Sequence, residues 1–280
     1  MMRAMSSSAG LAAQVAELVG REEQVRRRDP EGVHRARVAT RRLRAVLAAY
    51  RPVLDREVSD PLREELRWFG NELSGSRDRH VVHQLLTRML AEEPRGLVAE
   101  QVVRRVEREY GGSGPVTGAI DSHRYAALRA ALTGLPDVHP DEPVLRRQVC
   151  RDVARVVARH DGLAPAVDPD AAMHDVRKAA KRLRYSAEAW QPVGGKDARR
   201  TVRAARRLTS HLGERQDTVL VRVHLLGLAD EAAAAGEPTF TYGRLHAREQ
   251  RRAEDLDAAL PEVWRRFLGG VTWPGTRSTC

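Results

Sequence analysis

The sequence predicts an all-α fold, built as two four-helix units related by pseudo-twofold symmetry, and three observations carry that prediction. A stretch at 34–53, HRARVATRRLRAVLAAYRPV, recurs at 174–193 as HDVRKAAKRLRYSAEAWQPV with a constant offset and no gap. Both copies have helical periodicity and neither alternates like a strand. The 280 residues are 42% hydrophobic but only 4% aromatic, which suits helices with a core of Leu, Val and Ala. A long repeat near half the chain apart indicates a duplicated helical unit rather than a short-period solenoid.

Taken in order, residues 1–10 are expected to be a disordered tail, and 11–28 form a first helix that stops at Asp29-Pro30. Asp29 then caps the first repeat helix with Pro30 in its first turn, and Asp168-Pro169 opens the second in the same way. Pro52 and Pro192 end the two helices. A weaker echo follows each copy: LRWFGNELSGSRD (66–78) and RRLTSHLGERQD (206–217) each read as a helix, a glycine-containing break and a restart capped by Asp78 or Asp217. Further helices are expected to about 92 and over 95–110, 121–133, 143–160, 171–191, 196–212, 217–235 and 241–268. GGSGP (111–115) is the clearest flexible break. LPDVHPDEP (135–143) separates an N-terminal half (11–134) from a C-terminal half (143–268), and 269–280 is an irregular tail.

The repeat helices carry the chemistry. At about 100° per residue, Ala36, Ala39, Leu43, Val46, Leu47 and Tyr50 share one sector, as do Val176, Ala179, Ala180, Leu183, Ala187 and Trp190. His34, Arg37, Arg41 and Arg44 fall on the opposite side of the first helix. His174, Arg177, Lys181 and Arg184 do the same on the second. Each helix therefore pairs a core stripe with a cationic stripe about 15 Å long. Like charges three and four residues apart repel, and neither stripe shows an Asp or Glu to relieve them. An anion is expected against both.

The formal net charge of +10 agrees with a polyanionic partner. Lysine occurs only at 178, 181 and 196, so the positive charge is almost all arginine. Cys150 and Cys280 are the only cysteines, and no disulfide framework or cysteine metal site follows from them. The first twenty residues lack an apolar run long enough for a signal peptide or a membrane span. A soluble, cytoplasmic protein without membrane association is expected.

The paired segments beginning at His34 and His174, each followed by its downstream element, resemble the CHAD domain, the conserved histidine α-helical domain. The resemblance spans about 11–268. H-D-V-R-K-A-A-K-R-L-R-Y is the more specific copy, and Ser74-Gly75 stands where the second half has Leu212-Gly213. The resemblance implies two four-helix bundles flanking a basic central cavity that binds inorganic polyphosphate, and association with polyphosphate granules. Its implied ligands are the eight stripe residues, with Arg42, Lys178, Arg67 and Arg206 as second-tier candidates by their place in the motif.

Polyphosphate is a flexible anionic chain without bases, so it requires dense cationic donors and no stacking platform. Arginine supplies planar bidentate donation to phosphate oxygens, and lysine a mobile point charge. His34 and His174 sit near the positive ends of their helices, which disfavours protonation until phosphate binds, so binding should tighten toward about pH 6. The repeats hold no carboxylate pair, Gly-rich phosphate loop or nucleophile constellation, so no enzymatic activity, catalytic residue or cofactor is expected. The ExExK motif of triphosphate tunnel enzymes, to which CHAD domains are often joined, does not occur. His80 and His83 form an isolated HxxH without a third ligand, and no metal site is expected. A nucleic-acid binder is the main alternative and a metal-dependent polyphosphate or triphosphate hydrolase a lesser one. Nucleic acid is disfavoured because Tyr185 is the one aromatic bordering either cationic stripe.

Overall fold

The computed structural model describes residues 11–51, 53–93, 97–110, 118–136, 138 and 140–271, apart from the side chains of 74–81 and 97–99. The expectations for 1–10, Pro52, GGSGP, the His80 side chain and 272–280 lie outside what is described. Every regular element among the described residues is helical.

The repeat helices are α3 (Pro30–Ala49) and α9 (Pro169–Trp190). Both begin as the sequence requires. Asp29 accepts from Gly32 N–H and Asp168 from Ala171 N–H, each with a proline in the first turn. Each ends two residues or so before its proline, because proline excludes the residue before it from the helical region. The apolar stripes are buried throughout: Leu43, Leu47, Leu183 and Ala187 are all fully enclosed. Each leucine contributes about 1.5–3 kcal/mol by leaving water.

Around this pair the chain places α1 (Leu11–Val19), α2 (Glu22–Arg26), α4 (Arg56–Glu72), α5 (Ser74–Ala91) and α6 (Leu97–Tyr110). A 3-10 turn (Gly118–Asp121) leads into α7 (His123–Thr133) and α8 (Glu142–Asp161), and after α9 come α10 (Gly195–Ala234) and α11 (Phe240–Gly270). Helix α3 packs on α1, α4 and α9, while α9 packs on α8 and α10. The α9–α10 turn is tight. A Cβ on Gly194 would fall 2.4 Å from the Trp190 ring, whose Nε1 donates to Glu142 on α8. Arg215 on α10 spans Asp170 at the start of α9 and Asp257 on α11, at 2.7 and 2.8 Å, and so fixes the end of α9 that carries His174.

Buried apolar side chains form two clusters that do not coincide with the two sequence halves. The larger draws on α1–α4, α7–α9, the first half of α10 and the end of α11. The smaller joins α5 and α6 to the second half of α10 and the start of α11. Long α10 and α11 therefore pass through both.

Four local expectations are corrected. The first helix is two, parted at Gly20-Arg21, and α2 closes on Arg28 in the left-handed region (φ 58°). In the first half the chain breaks at Leu73, not at Gly75, and Asp78 is an interior position of α5 rather than its cap. In the second half there is no break: α10 runs unbroken for 40 residues through Leu212-Gly213, and Asp217 is an interior position rather than a cap. Glycine costs about 1 kcal/mol inside a helix, but Leu208 and Leu212 before this point and Thr218 and Val221 after it are buried and hold it helical. Cys150 on α8 is disulfide-bonded and not a free thiol, contrary to the expectation that no disulfide follows from the two cysteines.

Candidate functional site: a basic cleft between the repeat helices

Because α3 and α9 pack on each other, their cationic stripes meet. Arg41 and Arg44 of α3, Arg63 of α4, and Lys178, Lys181 and Arg182 of α9 line a cleft of about 350 Å³ floored by Ala45, Ala48 and Tyr185. Four of the twelve candidates, Arg41, Arg44, Lys178 and Lys181, are thus brought to one cavity.

Lys181 is its electrostatic centre. Burial, then the neighbouring charges of Arg177, Arg41 and Arg184, push its ammonium down to about 7, and Asp217 opposes this only in part. Arg44 is likewise lowered, by burial and by Arg63. The Nε groups of Arg41 and Arg44 are buried and find no hydrogen-bond acceptor. Folded proteins satisfy such donors almost without exception, so these two arginines keep hydrogen-bonding capacity that an anion in the cleft could take up.

The remaining stripe residues flank the cleft. His174 Nδ1 donates to Gln216 Oε1 at 2.8 Å. Its pKa is lowered, first by burial and then by Lys178, Arg177 and Lys181, while the Gln216 bond acts the other way. In this tautomer Nε2 can donate to a phosphate only after protonation. Arg177 lies over Gly213 of α10, whose missing Cβ would sit 3.8 Å from the guanidinium. Asp217 is half-buried near Arg177 and Lys181, and its carboxyl is raised by desolvation despite them. Arg37 is enclosed in the protein, and His34 is half-buried with Nδ1 unanswered. Arg67 is exposed beside Arg44 and pairs with Glu64.

Arg42 and Arg206 belong to a second, smaller pocket of about 120 Å³, which also holds Tyr185 and Glu188. Glu188 is one turn beyond Arg184 and corrects the expectation that the stripe holds no carboxylate. Its side chain is 14% exposed and lies 3.4 Å from Arg42, 3.6 Å from Arg184 and 3.1 Å from Arg206. The two pockets use repeat-equivalent positions: Arg42 and Arg182, Ala45 and Tyr185, Ala48 and Glu188. One is filled by an internal carboxylate, and the other has a methyl group there.

Arg63 and Arg182 were not among the predicted residues. Arg182 was legible as the repeat partner of Arg42; it pairs with the fully buried Asp152 of α8 at 2.8 Å. Arg63 lies outside the repeat, and only the packing of α4 on α3 brings it in. Tyr185, the aromatic at the stripe's edge, is buried with the Arg184 guanidinium over its ring at 4.8 Å. Of the HxxH pair, His83 hydrogen-bonds Glu107 at 2.8 Å. No described helix is long and apolar enough to cross a membrane.

A helical protein whose duplicated basic helices enclose an anion-sized cleft is the class that fold and site define. The chain belongs to the CHAD domain family, which matches residues 9–226. It is similar to the protein MT2285 of Mycobacterium tuberculosis (strain CDC 1551 / Oshkosh), 34% identical over 269 residues covering 89% of this chain and 51% of that one. Rv2226 of strain ATCC 25618 / H37Rv is 33% identical over the same coverage. The chain thus spans about half the length of these curated relatives. Among solved structures, the CHAD domain from the plant Ricinus communis aligns with TM-score 0.66 and 25% identity, over 92% of this chain and 91% of that one. PptA from Streptomyces chartreusis aligns with TM-score 0.70 and 22% identity, over 92% and 98%, a likeness of fold.

Proposed function

We propose that this protein is a non-enzymatic binding module for inorganic polyphosphate, held in the cleft between α3 and α9, and that it acts in the cytoplasm at polyphosphate granules. The supporting observation is the group of buried, unanswered donors around Lys181, on helices whose equivalent residues face each other. A phosphate chain would answer several donors at once. Arg41 and Arg44 would donate from α3 and Lys178 and Lys181 from α9, with His174 joining once protonated. Phosphate near Lys181 would also restore its charge, so part of the binding energy would be taken up in protonation. Release of counterions from the chain would make affinity fall steeply with salt.

Tyr185 favours this reading over nucleic acid. Buried under Arg184, its ring offers no face for a base to stack on. The test is competition: labelled polyphosphate against DNA, RNA and nucleoside triphosphate, with product analysis in the presence and absence of Mg²⁺. Polyphosphate should be displaced by polyphosphate far better than by either nucleic acid and should be recovered intact. Equal displacement by DNA would overturn the reading, and shortened product would show an enzyme.

A further inference from the structure

The first half of α10 presents a face of arginines with no acid of its own. From 198 to 213 the helix contains no Asp or Glu but carries Arg199, Arg200, Arg203, Arg206 and Arg207. At about 100° per residue these arginines and Lys196 occupy one sector, and all are exposed, while Ala198, Thr201, Ala205 and Leu208 are buried behind them. Four arginines of α11 are neutralised by their own helix. On α11, Arg265 and Arg266 both pair with Glu262, Arg251 with Asp255 and Arg252 with Glu249. On α10, Arg199, Arg203 and Arg207 make no ion pair with any described residue. Cations three and four residues apart destabilise such a face by a few tenths of a kcal/mol per pair.

This face is also continuous with the cleft. Arg184 lies within the electrostatic reach of Lys181 and 3.6 Å from Glu188, and Arg206 is 3.1 Å from the same carboxylate. Positive charge therefore runs from Lys181 through Arg184 to Arg206 and on for about 15 Å along α10. Glu188 marks the junction.

We infer that the arginine face of α10 is a second segment of the anion path, engaged only by a phosphate chain long enough to leave the cleft and pass Glu188. The inference rests on the proposed polyphosphate function and deepens it: the cleft supplies a short-chain site, and α10 supplies preference for long chains. Tripolyphosphate would occupy the cleft alone. A long chain would also answer Arg199, Arg203 and Arg207, which have no other counterion.

The double variant Arg199→Gln, Arg203→Gln tests this, with tripolyphosphate and long-chain polyphosphate as probes on the whole chain. Both residues are exposed, so folding should be unchanged, and circular dichroism checks that. Long-chain affinity should fall roughly tenfold, the upper range for two exposed ion pairs, with a shallower salt dependence, while tripolyphosphate affinity stays as in the wild type. Unchanged long-chain affinity would overturn the inference and leave the cleft as the whole site. So would an equal loss for both probes, or an equal loss from Arg265→Gln, Arg266→Gln on α11, because the effect would then be general surface charge. If the wild type prefers neither phosphate probe to DNA, the polyphosphate function itself fails, and this inference with it.

Discussion

The pocket beside Arg42 and the cleft beside Arg182 descend from the same positions of a duplicated helix, yet one is closed by charge and the other is open. In the first, Glu188 and Tyr185 leave about 120 Å³, and three arginines converge on the carboxylate. In the second, Ala48 and Ala45 stand at the equivalent places, the cleft is about 350 Å³, and Arg41 and Arg44 keep buried Nε groups without an acceptor, while Lys178, Arg182 and Arg63 pair outward with Asp175, Asp152 and Asp60. A repeat copies a cationic surface, and a single side chain can supply one copy with its own carboxylate. Glu188 shows what an anion does for this arrangement: it holds three guanidinium groups from α3, α9 and α10 together. The open cleft has no carboxylate at the equivalent position, Ala48.

Four substitutions would break or sharpen that comparison. The largest effect is expected from Leu183→Asp, which buries a charge beneath both pockets at a fully enclosed position. It should cost more than about 4 kcal/mol, read as loss of the cooperative thermal transition. Next is Ala48→Glu, which gives the open cleft the carboxylate its counterpart already has. Polyphosphate affinity should fall at least about tenfold with helicity intact, while Ala48→Gln, of similar size but neutral, should cost far less. Equal losses would mean that volume rather than charge closes the cleft.

The converse change, Glu188→Ala, releases three arginines. Long-chain affinity should rise roughly three- to tenfold, and the free protein should lose about 1 kcal/mol of stability that added polyphosphate restores. A fall in affinity would show that Glu188 orders the site instead of competing for it.

The smallest and most diagnostic effect concerns Lys181, whose pKa is pushed down to about 7. The unfolded chain holds that proton up to the ordinary lysine value near 10.4. Between those values the unfolded state binds more protons, so its contribution to stability rises with pH. Binding has the opposite sense. As pH falls from about 8 to about 6, Lys181 and then His174 gain charge, and affinity should increase. Lys181→Met should flatten most of that increase and raise the melting temperature at neutral pH. If its affinity still climbs as steeply as the wild type's, His174 carries the pH response instead.

The all-α class, the bounds and caps of α3 and α9, and the inward face of each were legible in the sequence, because they depend on local signals. Proline and aspartate at the start and a 3.6-residue apolar period act within one helix. The cationic stripes were legible for the same reason, and Arg41, Arg44, Lys178 and Lys181 do share a cleft. Only the tertiary structure could decide which donors stay unanswered. Arg63 joins because α4 packs on α3, and Arg42 and Arg206 are neutralised by a carboxylate from another helix. Glu188 lay at stripe spacing, but its meaning came from the arginines of α3 and α10 that it meets. The α10 break failed as a prediction because Gly213 and Asp217 are helix-breaking only where nothing else binds the segment, and buried Leu208 and Leu212 bind it. Sequence determined which residues could form the site, since periodicity is a property of one helix. Packing decided their charge state and partners, since those are properties of neighbours.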